Sequence, residues 1–432
     1  MPEGNNNGVK GDNIMDMKSY QKMMLTGNKA AAWGARLADV DYVPAFPITP
    51  QTEIIESLAQ WFADGTMKGR FTNMDSEHSM FTAAGSASAS GVRVFTASSS
   101  QGILYGLEML YTIAGWRVPM VLANVSRALA TPITLEPDHN DVMSTRDCGI
   151  IQLHAETCQE VLDFVLMGYR IAEDPRVCLP VLVNLDGFYL SFTREPVVLP
   201  DENEIRVFLP PFQPVQPVFQ ASQPQARASA VLGGTNYAYF KWQHHLAIVH
   251  AERVFQEVSC EFGARFGRLY APIEEYKMDD ADDVFIMSNS FATKGKDAVN
   301  ALREQGIKAG LLKLRLYRPF PAKSIANALE RKHKVAVIDQ NIAPGAGGIT
   351  FPEISAALYS QKDRPEKLIS VIGGLGGLDI RRGDFMNIIE SLDDPDFAGP
   401  LFLYHQDDLE GFQKLQKIAG HELEPDLVAT PV

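Results

Sequence analysis

The 432-residue chain has no excess of positive charge and no long apolar run. A helix that crosses a bilayer needs about 20 consecutive apolar residues, and no stretch supplies them. The net charge is −14, which argues against a nucleic-acid binder or a protein held at an anionic membrane surface. Cysteine is scarce: Cys148, Cys158, Cys178 and Cys260 are the full set. None forms a Cys-x-x-Cys pair, so a local zinc or iron–sulfur motif is excluded and buried free thiols in a reducing compartment are expected. The paired His244 and His245, with His250 beyond, have no acidic or cysteinyl residue at metal spacing, and helix-surface positions are expected for them. Residues 1–18 are polar and Asn/Gly-rich, without the apolar core of a signal peptide; a flexible segment, or one lying on a neighbouring subunit, is expected. The Gly373–Gly377 stretch is glycine-rich but is not a GxGxxG that opens a helix after a first strand, so a dinucleotide site is not expected there. These absences leave a cytoplasmic enzyme subunit as the expected class.

What is present begins at Tyr42-Val-Pro-Ala-Phe-Pro-Ile-Thr-Pro50. Prolines at 44, 47 and 50 fix a strand end and a rigid loop that cannot become helix. About thirty residues on, Met74-Asp75-Ser76-Glu77 enters a stretch of Ala, Ser and Gly from Ala83 to Gly91. A lone carboxylate at the start of a helix of small residues lets another group come very close. Two readings stand on the residues alone: half of a cofactor site, or a tight helix start capped by Glu77.

The pattern along the chain predicts an α/β protein with a mostly parallel sheet covered on both faces. Helices are expected over 19–40, 52–62 and 161–172, and one after Ser100 carrying Leu104, Leu107, Leu110 and Ile113. Strands are expected over 42–46, 92–96, 118–125, 150–154 and 179–185. Pro210, Pro211, Pro214 and Pro217 predict an extended arm between 196 and 224, followed by a helix around 246–262. A second α/β unit is expected from about 280, with strands at 284–287, 308–313 and 335–338. The expected division is a segment 1–18, a first domain 19–195, an arm and helical region 196–279, and a second domain 280–432.

Loops at the carboxyl ends of parallel strands are the usual ligand sites. Arg127 and Thr49 stand in two of them, and together they are a plausible trap for a 2-oxo acid, because a guanidinium grips a carboxylate through two parallel hydrogen bonds. The other reading pairs Arg127 with Asp138 or Asp141 to hold the loop. Asp138-His-Asn-Asp141 has the spacing of a weak magnesium motif; loop and helix caps or a subunit contact are the other readings.

The chain resembles the alpha subunit of the 2-oxoacid:ferredoxin oxidoreductases, typified by pyruvate:ferredoxin oxidoreductase. The resemblance rests on Phe46-Pro-Ile-Thr-Pro50, Ser76-Glu77, Ser100-Gln-Gly102, Asn124-Val-Ser-Arg-Ala-Leu129 and Asp138-His-Asn-Asp141. It continues through Arg146-Asp147, Asp186-Gly-Phe188 and Leu314-Arg-Leu-Tyr-Arg-Pro-Phe320, covering roughly residues 20–380. The resemblance implies a pyrimidine-type thiamine diphosphate-binding domain followed by a transketolase-C-like domain. Glu77 then matches the carboxylate that hydrogen-bonds the aminopyrimidine ring, with Pro47, Ile48, Gln101 and Gly102 as cofactor-binding positions and Thr49 and Arg127 as substrate-binding ones. It implies partners as well. A beta subunit carries the diphosphate and Mg2+ through a Gly-Asp-Gly motif, which this chain lacks. Gamma and ferredoxin-like delta subunits hold iron–sulfur clusters, and an NAD- or flavin-linked electron-transfer subunit is a further candidate. Coenzyme A is the acyl acceptor. The chain departs from the pyruvate pattern at Ser191-Phe192, at Ala155-Glu156-Thr157 and over Thr131–Glu136. Phe192 fits a bulkier or aromatic 2-oxo acid, as in the phenylglyoxylate branch, or else core packing.

Overall fold

The computed structural model describes residues 21–227, 229–397 and 399–420. The segment 1–18 lies outside the described residues.

The expected first helix begins instead as a strand, β1 (Gln21–Thr26), which turns into α1 (Gly27–Leu37). Thr26 is the reason for the switch. Its hydroxyl accepts from Lys29 N and donates to Glu53 Oε2, so it caps the helix while its backbone stays extended. Gly27 follows, where a β-carbon would meet Leu190 O at 2.6 Å. The chain then runs β2 (Tyr42–Ala45), α2 (Thr52–Ala63), β3 (Arg70–Asn73), α3 (Glu77–Ala89) and β4 (Phe95–Ser98). The helix expected after Ser100 is split into α4 (Ser100–Tyr105) and α5 (Leu107–Trp116) at Gly106, where the Phe81 ring leaves no room for a side chain. Next come β5 (Val121–Ser126), α6 (Asn140–Ser144), β6 (Ile151–His154), α7 (Cys158–Ala172) and β7 (Val181–Asp186).

The proline-rich arm is more structured than its composition implies. It starts as β8 (Arg194–Leu199), antiparallel to β1, and continues as α8 (Glu202–Phe208). The 33-residue α9 (Gly234–Phe266) follows; its second half buries Val254, Phe255, Phe262 and Phe266 against the first domain. Cys260 lies on this helix and is exposed, unlike the other three thiols.

The second unit contains β9 (Ile273–Tyr276), β10 (Asp283–Ser288), α10 (Phe291–Glu304), β11 (Ala309–Leu314), β12 (Leu316–Arg318), α11 (Ala322–Ala328) and β13 (Lys334–Asp339). It ends with α12 (Thr350–Leu358), β14 (Lys367–Ile372), α13 (Asp384–Asp393), β15 (Leu401–Phe402) and α14 (Gln406–Ala419). Its sheet has the order β15-β14-β13-β10-β11-β9, parallel except for β9.

The first domain's sheet has the order β12-β6-β7-β5-β4, and a parallel bridge from Val94 to Tyr42 adds β2 and β3 beside β4. β12 was not expected. It is threaded from the second domain and pairs antiparallel with β6, so the Leu314–Phe320 motif stitches the two units together. They also share a core: Phe81, Ile103, Ile113 and Leu122 of the first join Ile286, Leu312, Tyr317 and Val335 of the second in one apolar cluster. Each such buried side chain contributes about 1.5–3 kcal/mol relative to exposure, which favours one joined body over two loose ones.

Candidate active site

Chain order reverses between β2 and β4. From β2 the chain moves outward to β3, then returns to place β4 on the other side of β2. At such a point two adjacent strands send their carboxyl-end loops in opposite directions and leave a crevice for a ligand. The loops that border it are Phe46–Gln51 and Ser99–Gly102. The first is held rigid: Asn28 Nδ2 donates to Pro50 O at 2.9 Å, and Gln51 Nε2 donates to Phe46 O at 2.9 Å. Pro47 and Thr49 are exposed on it, and Ile48 is half-buried.

Glu77 is the first residue of α3, whose start is capped by Ser76 accepting from Ser79 N at 3.2 Å. Ser76 is the cap, not Glu77. The Glu77 side chain is thereby freed for the crevice, where the residue is only 7 % exposed. Among the described residues no donor is hydrogen-bonded to its carboxylate. Gly102 forms the facing wall: a β-carbon there would stand 2.6 Å from Glu77 Oε1 and 2.5 Å from Ser98 Oγ. The hydroxyls of Ser98 and Ser99 are buried without a hydrogen-bond partner. Unpaired buried polar atoms are uncommon in folded proteins and call for an explanation.

Arg127 follows β5 and reaches across the crevice. Its Nη1 donates to Thr49 O at 2.7 Å and its Nη2 to Gln101 Oε1 at 3.0 Å. Nε is buried and unpaired, and the residue is 8 % exposed. Burial pulls the guanidinium below its ordinary pKa, while the charges of Asp141 and Glu77 act against that fall. The side chain therefore does not pair with Asp138 or Asp141; only its backbone N–H donates to Asp141 Oδ2. The four predicted positions Glu77, Gln101, Gly102 and Arg127 converge, with the 47–49 loop as the opposite rim.

The second domain closes one side. His139 Nε2 lies 2.7 Å from Asp186 Oδ1, and Asp186 Oδ2 accepts from Ser290 N at 2.9 Å and from the Ser290 hydroxyl. Burial works against charge on both groups of this pair, yet each holds the other ionised: His139 lies above its ordinary pKa and Asp186 below. His154 Nδ1 lies 2.7 Å from Asn289 Oδ1; burial, then the neighbouring His139, push the His154 pKa down to about 3. Gly374, Gly376 and Gly377 all have positive φ, so the glycine loop is a tight turn. It packs on Glu136 and Pro137, and Tyr189 Oη donates to Gly377 O at 2.6 Å. Burial raises the Asp138 carboxyl beneath this turn to about 6. Phe192 is not in the core: it is 46 % exposed and leans on Phe188 with ring centroids 5.4 Å apart.

Asp138 and Asp141 do not form a metal site. Asp141 accepts from backbone and hydroxyl donors, and Asp138 accepts from Asn140 N at 2.9 Å. Among the described residues the carboxylates that do converge are Glu156, Glu160 and Glu274. Lys313 fills their centre, bonded to Glu156, to Glu160 at 2.8 Å and to Glu274 at 2.9 Å. Lys296 and Arg315 complete the set, so three cations meet three carboxylates and no charge is left for a metal. Burial opposes the ionised form of Glu274, but Lys313, Lys296 and Arg315 hold its pKa down at about 2. Glu156 thus departs from the pyruvate pattern in an interdomain ion cluster, with its carboxylate engaged by Thr293, Lys296 and Lys313. Sequence reading missed this cluster. Glu156 and Glu160 lie more than a hundred residues from Glu274, Lys296, Lys313 and Arg315, and the one trace, Lys313 in an otherwise apolar strand, was legible only as an exception to the pattern.

A crevice of this kind, set at a switch point and lined by unpaired polar groups, marks a ligand-binding α/β protein. Comparison with known proteins gives the particular family. Residues 33–261 match the thiamine diphosphate-binding domain of pyruvate flavodoxin/ferredoxin oxidoreductases, and residues 281–385 match core domain II of pyruvate:ferredoxin oxidoreductase. Pyruvate synthase subunit PorA of Methanothermobacter thermautotrophicus is 39% identical over 373 residues, covering 86% of this chain and 96% of that protein. Ketoisovalerate oxidoreductase subunit VorA of Pyrococcus abyssi is 40% identical over 374 residues, covering 86% and 93%. The fold also matches a 2-oxoglutarate:ferredoxin oxidoreductase from Magnetococcus marinus, solved with 2-oxoglutarate, coenzyme A and succinyl-CoA. There the TM-score is 0.65 at 17% identity, over 88% of this chain and 66% of that one. The chain belongs to the 2-oxoacid:ferredoxin oxidoreductase family, as an alpha subunit. Among the described residues no helix is long and apolar enough to cross a membrane.

Proposed function

We propose that the crevice between β2 and β4 holds the aminopyrimidine ring of thiamine diphosphate and that Arg127 grips the carboxylate of a 2-oxo acid. The observation that carries this reading is the unpaired Glu77 carboxylate facing the Gly102 wall and the orphaned Ser98 hydroxyl. A ring with nitrogen donors and acceptors on its edge fits that set. Pro47, Ile48, Gln101 and Gly102 supply its walls. When bound, the cofactor supplies the carbanion chemistry of decarboxylation. Glu77 holds the ring nitrogen and its proton. Arg127, steadied by Thr49 O and Gln101 Oε1, offers its remaining Nη N–H groups to the substrate carboxylate, with the Thr49 hydroxyl on the rim. The crevice wall excludes water from the Glu77 side.

The reaction we assign to the assembled complex is oxidative decarboxylation of a 2-oxo acid with coenzyme A. It yields acyl-CoA and CO2, and two electrons leave through iron–sulfur clusters on partner subunits. The diphosphate and Mg2+ fall to a beta subunit, since this chain has no Gly-Asp-Gly. An aliphatic 2-oxo acid, pyruvate first, is the preferred substrate, because the relatives named above act on pyruvate and ketoisovalerate. An aromatic acid such as phenylglyoxylate is the second reading. It rests on the exposed Phe192, whose ring leans on the half-buried Phe188 next to Gly187, where Gly187 packs against Pro50.

Arg127→Lys tests the clamp, because lysine cannot reproduce a bidentate contact. Hydrogen bonds to charged groups contribute about 1.5–3 kcal/mol, so KM for the 2-oxo acid should rise about ten- to hundredfold. KM for coenzyme A should stay within about twofold. A parallel rise in both constants refutes the clamp. The same assay with pyruvate, 2-oxoisovalerate and phenylglyoxylate ranks the substrates.

A further inference from the structure

β4 and β5 run in parallel register as far as Ser98 and Asn124. Beyond that point they part, and the N–H groups of Ser100 and Arg127 are left at the mouth of the gap. Ser100 also sits at φ +47°, a left-handed conformation that a non-glycine residue adopts only when its surroundings impose it. One group takes both N–H donors. Asp141, in the short α6, is fully buried, and its Oδ2 accepts from Ser100 N at 2.9 Å and from Arg127 N at 3.1 Å. Its Oδ1 accepts from Val142 N at 2.7 Å and Ser126 Oγ at 3.1 Å. The side chains beyond the two clipped N–H groups meet as well. Gln101 Oε1 accepts from Ser100 Oγ at 2.6 Å and from Arg127 Nη2 at 3.0 Å.

We propose that Asp141 is a positioning residue for substrate binding. Its carboxylate clips the Ser100–Gln101 turn to the backbone of Arg127 and so sets where the guanidinium points. This rests on the reading of Arg127 as the clamp. Asp141 touches no substrate; it acts through two backbone N–H groups. One oxygen accepting two donors is a task for a carboxylate, whose charge-assisted bonds are the stronger kind. An amide can perform part of it. Asp141→Asn can turn its carbonyl toward Ser100 and Arg127 and its NH2 toward Ser126, whose hydroxyl can accept; only the bond from Val142 N is lost. Asp141→Ala keeps none of these bonds.

The test is steady-state kinetics of the assembled complex with Asp141→Asn, Arg127→Lys and the double variant. Asp141→Asn should raise KM for the 2-oxo acid about three- to tenfold, the effect of weakened hydrogen bonds, and leave KM for coenzyme A within about twofold. In the Arg127→Lys background it should add almost nothing, because residues that act through one another are not additive. Asp141→Ala should exceed Asp141→Asn in the same constant; where it fails to assemble, the asparagine variant alone decides. A full additional factor in the double variant, or equal rises in both KM values, overturns the proposal and makes Asp141 general support. If Arg127→Lys raises KM and Asp141→Asn does not, the clamp stands and the positioning role falls. If Arg127→Lys itself leaves KM unchanged, the clamp falls and the positioning role with it.

Discussion

Among the described residues, two charged clusters at or near the domain junction differ in saturation. Between the domains, Glu156, Glu160 and Glu274 meet Lys296, Lys313 and Arg315, and the charges cancel. At the switch-point crevice, Glu77 and Arg127 are close enough to influence each other, yet Glu77 has no donor among the described residues and Arg127 Nε is unpaired. The first cluster is complete, so it can only hold the fold. The second is incomplete in a place the fold keeps rigid, which is what a binding site requires before its ligand arrives. Convergence of carboxylates alone points to the first; the site proposed above is the second.

The largest expected effect breaks the saturated cluster. Removing one member of a buried ion group strands its partners, at about 3–5 kcal/mol. Lys313→Met should lower the free energy of urea unfolding by that amount; an unchanged midpoint would mean the cluster does not hold the fold. The crevice should behave in the opposite way. Glu77→Gln should leave the unfolding midpoint and subunit assembly intact while turnover falls about a hundredfold or more, the scale of a lost acid–base contribution. Near-normal turnover would remove Glu77 from the site. Gly102→Ala is subtler. Overpacking at a tight site costs typically about 1–3 kcal/mol, so cofactor affinity of the complex, read by titration calorimetry, should drop about tenfold or more. Unchanged affinity would mean the Gly102 wall does not face the ring.

The smallest effect, taken per pH unit, concerns protons. The folded pKa of His154 is about 3, well below the ordinary value, so the unfolded chain takes up this proton first as pH falls. Stability from this group is complete above pH ~6.5 and is lost toward pH 3, at up to about 1.4 kcal/mol per pH unit. Asp138, held up at about 6, has the opposite slope between its ordinary value and 6. The wild-type curve therefore mixes both. His154→Gln keeps a donor for Asn289 and removes the titration. Subtracting its pH–stability curve from that of the wild type should leave a line falling with acid below pH ~6.5; a flat difference would contradict the buried neutral ring.

Much of the crevice was legible in the sequence because its parts are local. Three prolines fix the 44–50 loop, and Ser76-Glu77 marks a helix start whatever surrounds it. Arg127 could be named as a candidate from its place after a strong strand, but its partner could not. Choosing between Asp138, Asp141 and a ligand required knowing that β2 and β4 lie side by side. The same limit explains the structural misses. β1 was read as helix because its partner, β8, is about 170 residues away and leaves no periodic trace. β3 has only four residues, none of them buried. β12 is three residues long and pairs outside its own domain. In each case the deciding contact is non-local, and pattern along the chain carries no information about it.

That last strand has a consequence for anyone who would take the protein apart. β12 leaves the second module to become the outermost strand of the first, so a cut between the modules near residue 280 does not separate two finished pieces. The front fragment would carry β6 as a raw edge, open to pairing with any passing chain, and the rear fragment would carry a severed strand with nothing to lie against. Although two family models divide the chain between them, the smallest piece that can be borrowed, swapped or expressed as a soluble unit extends at least through Arg318.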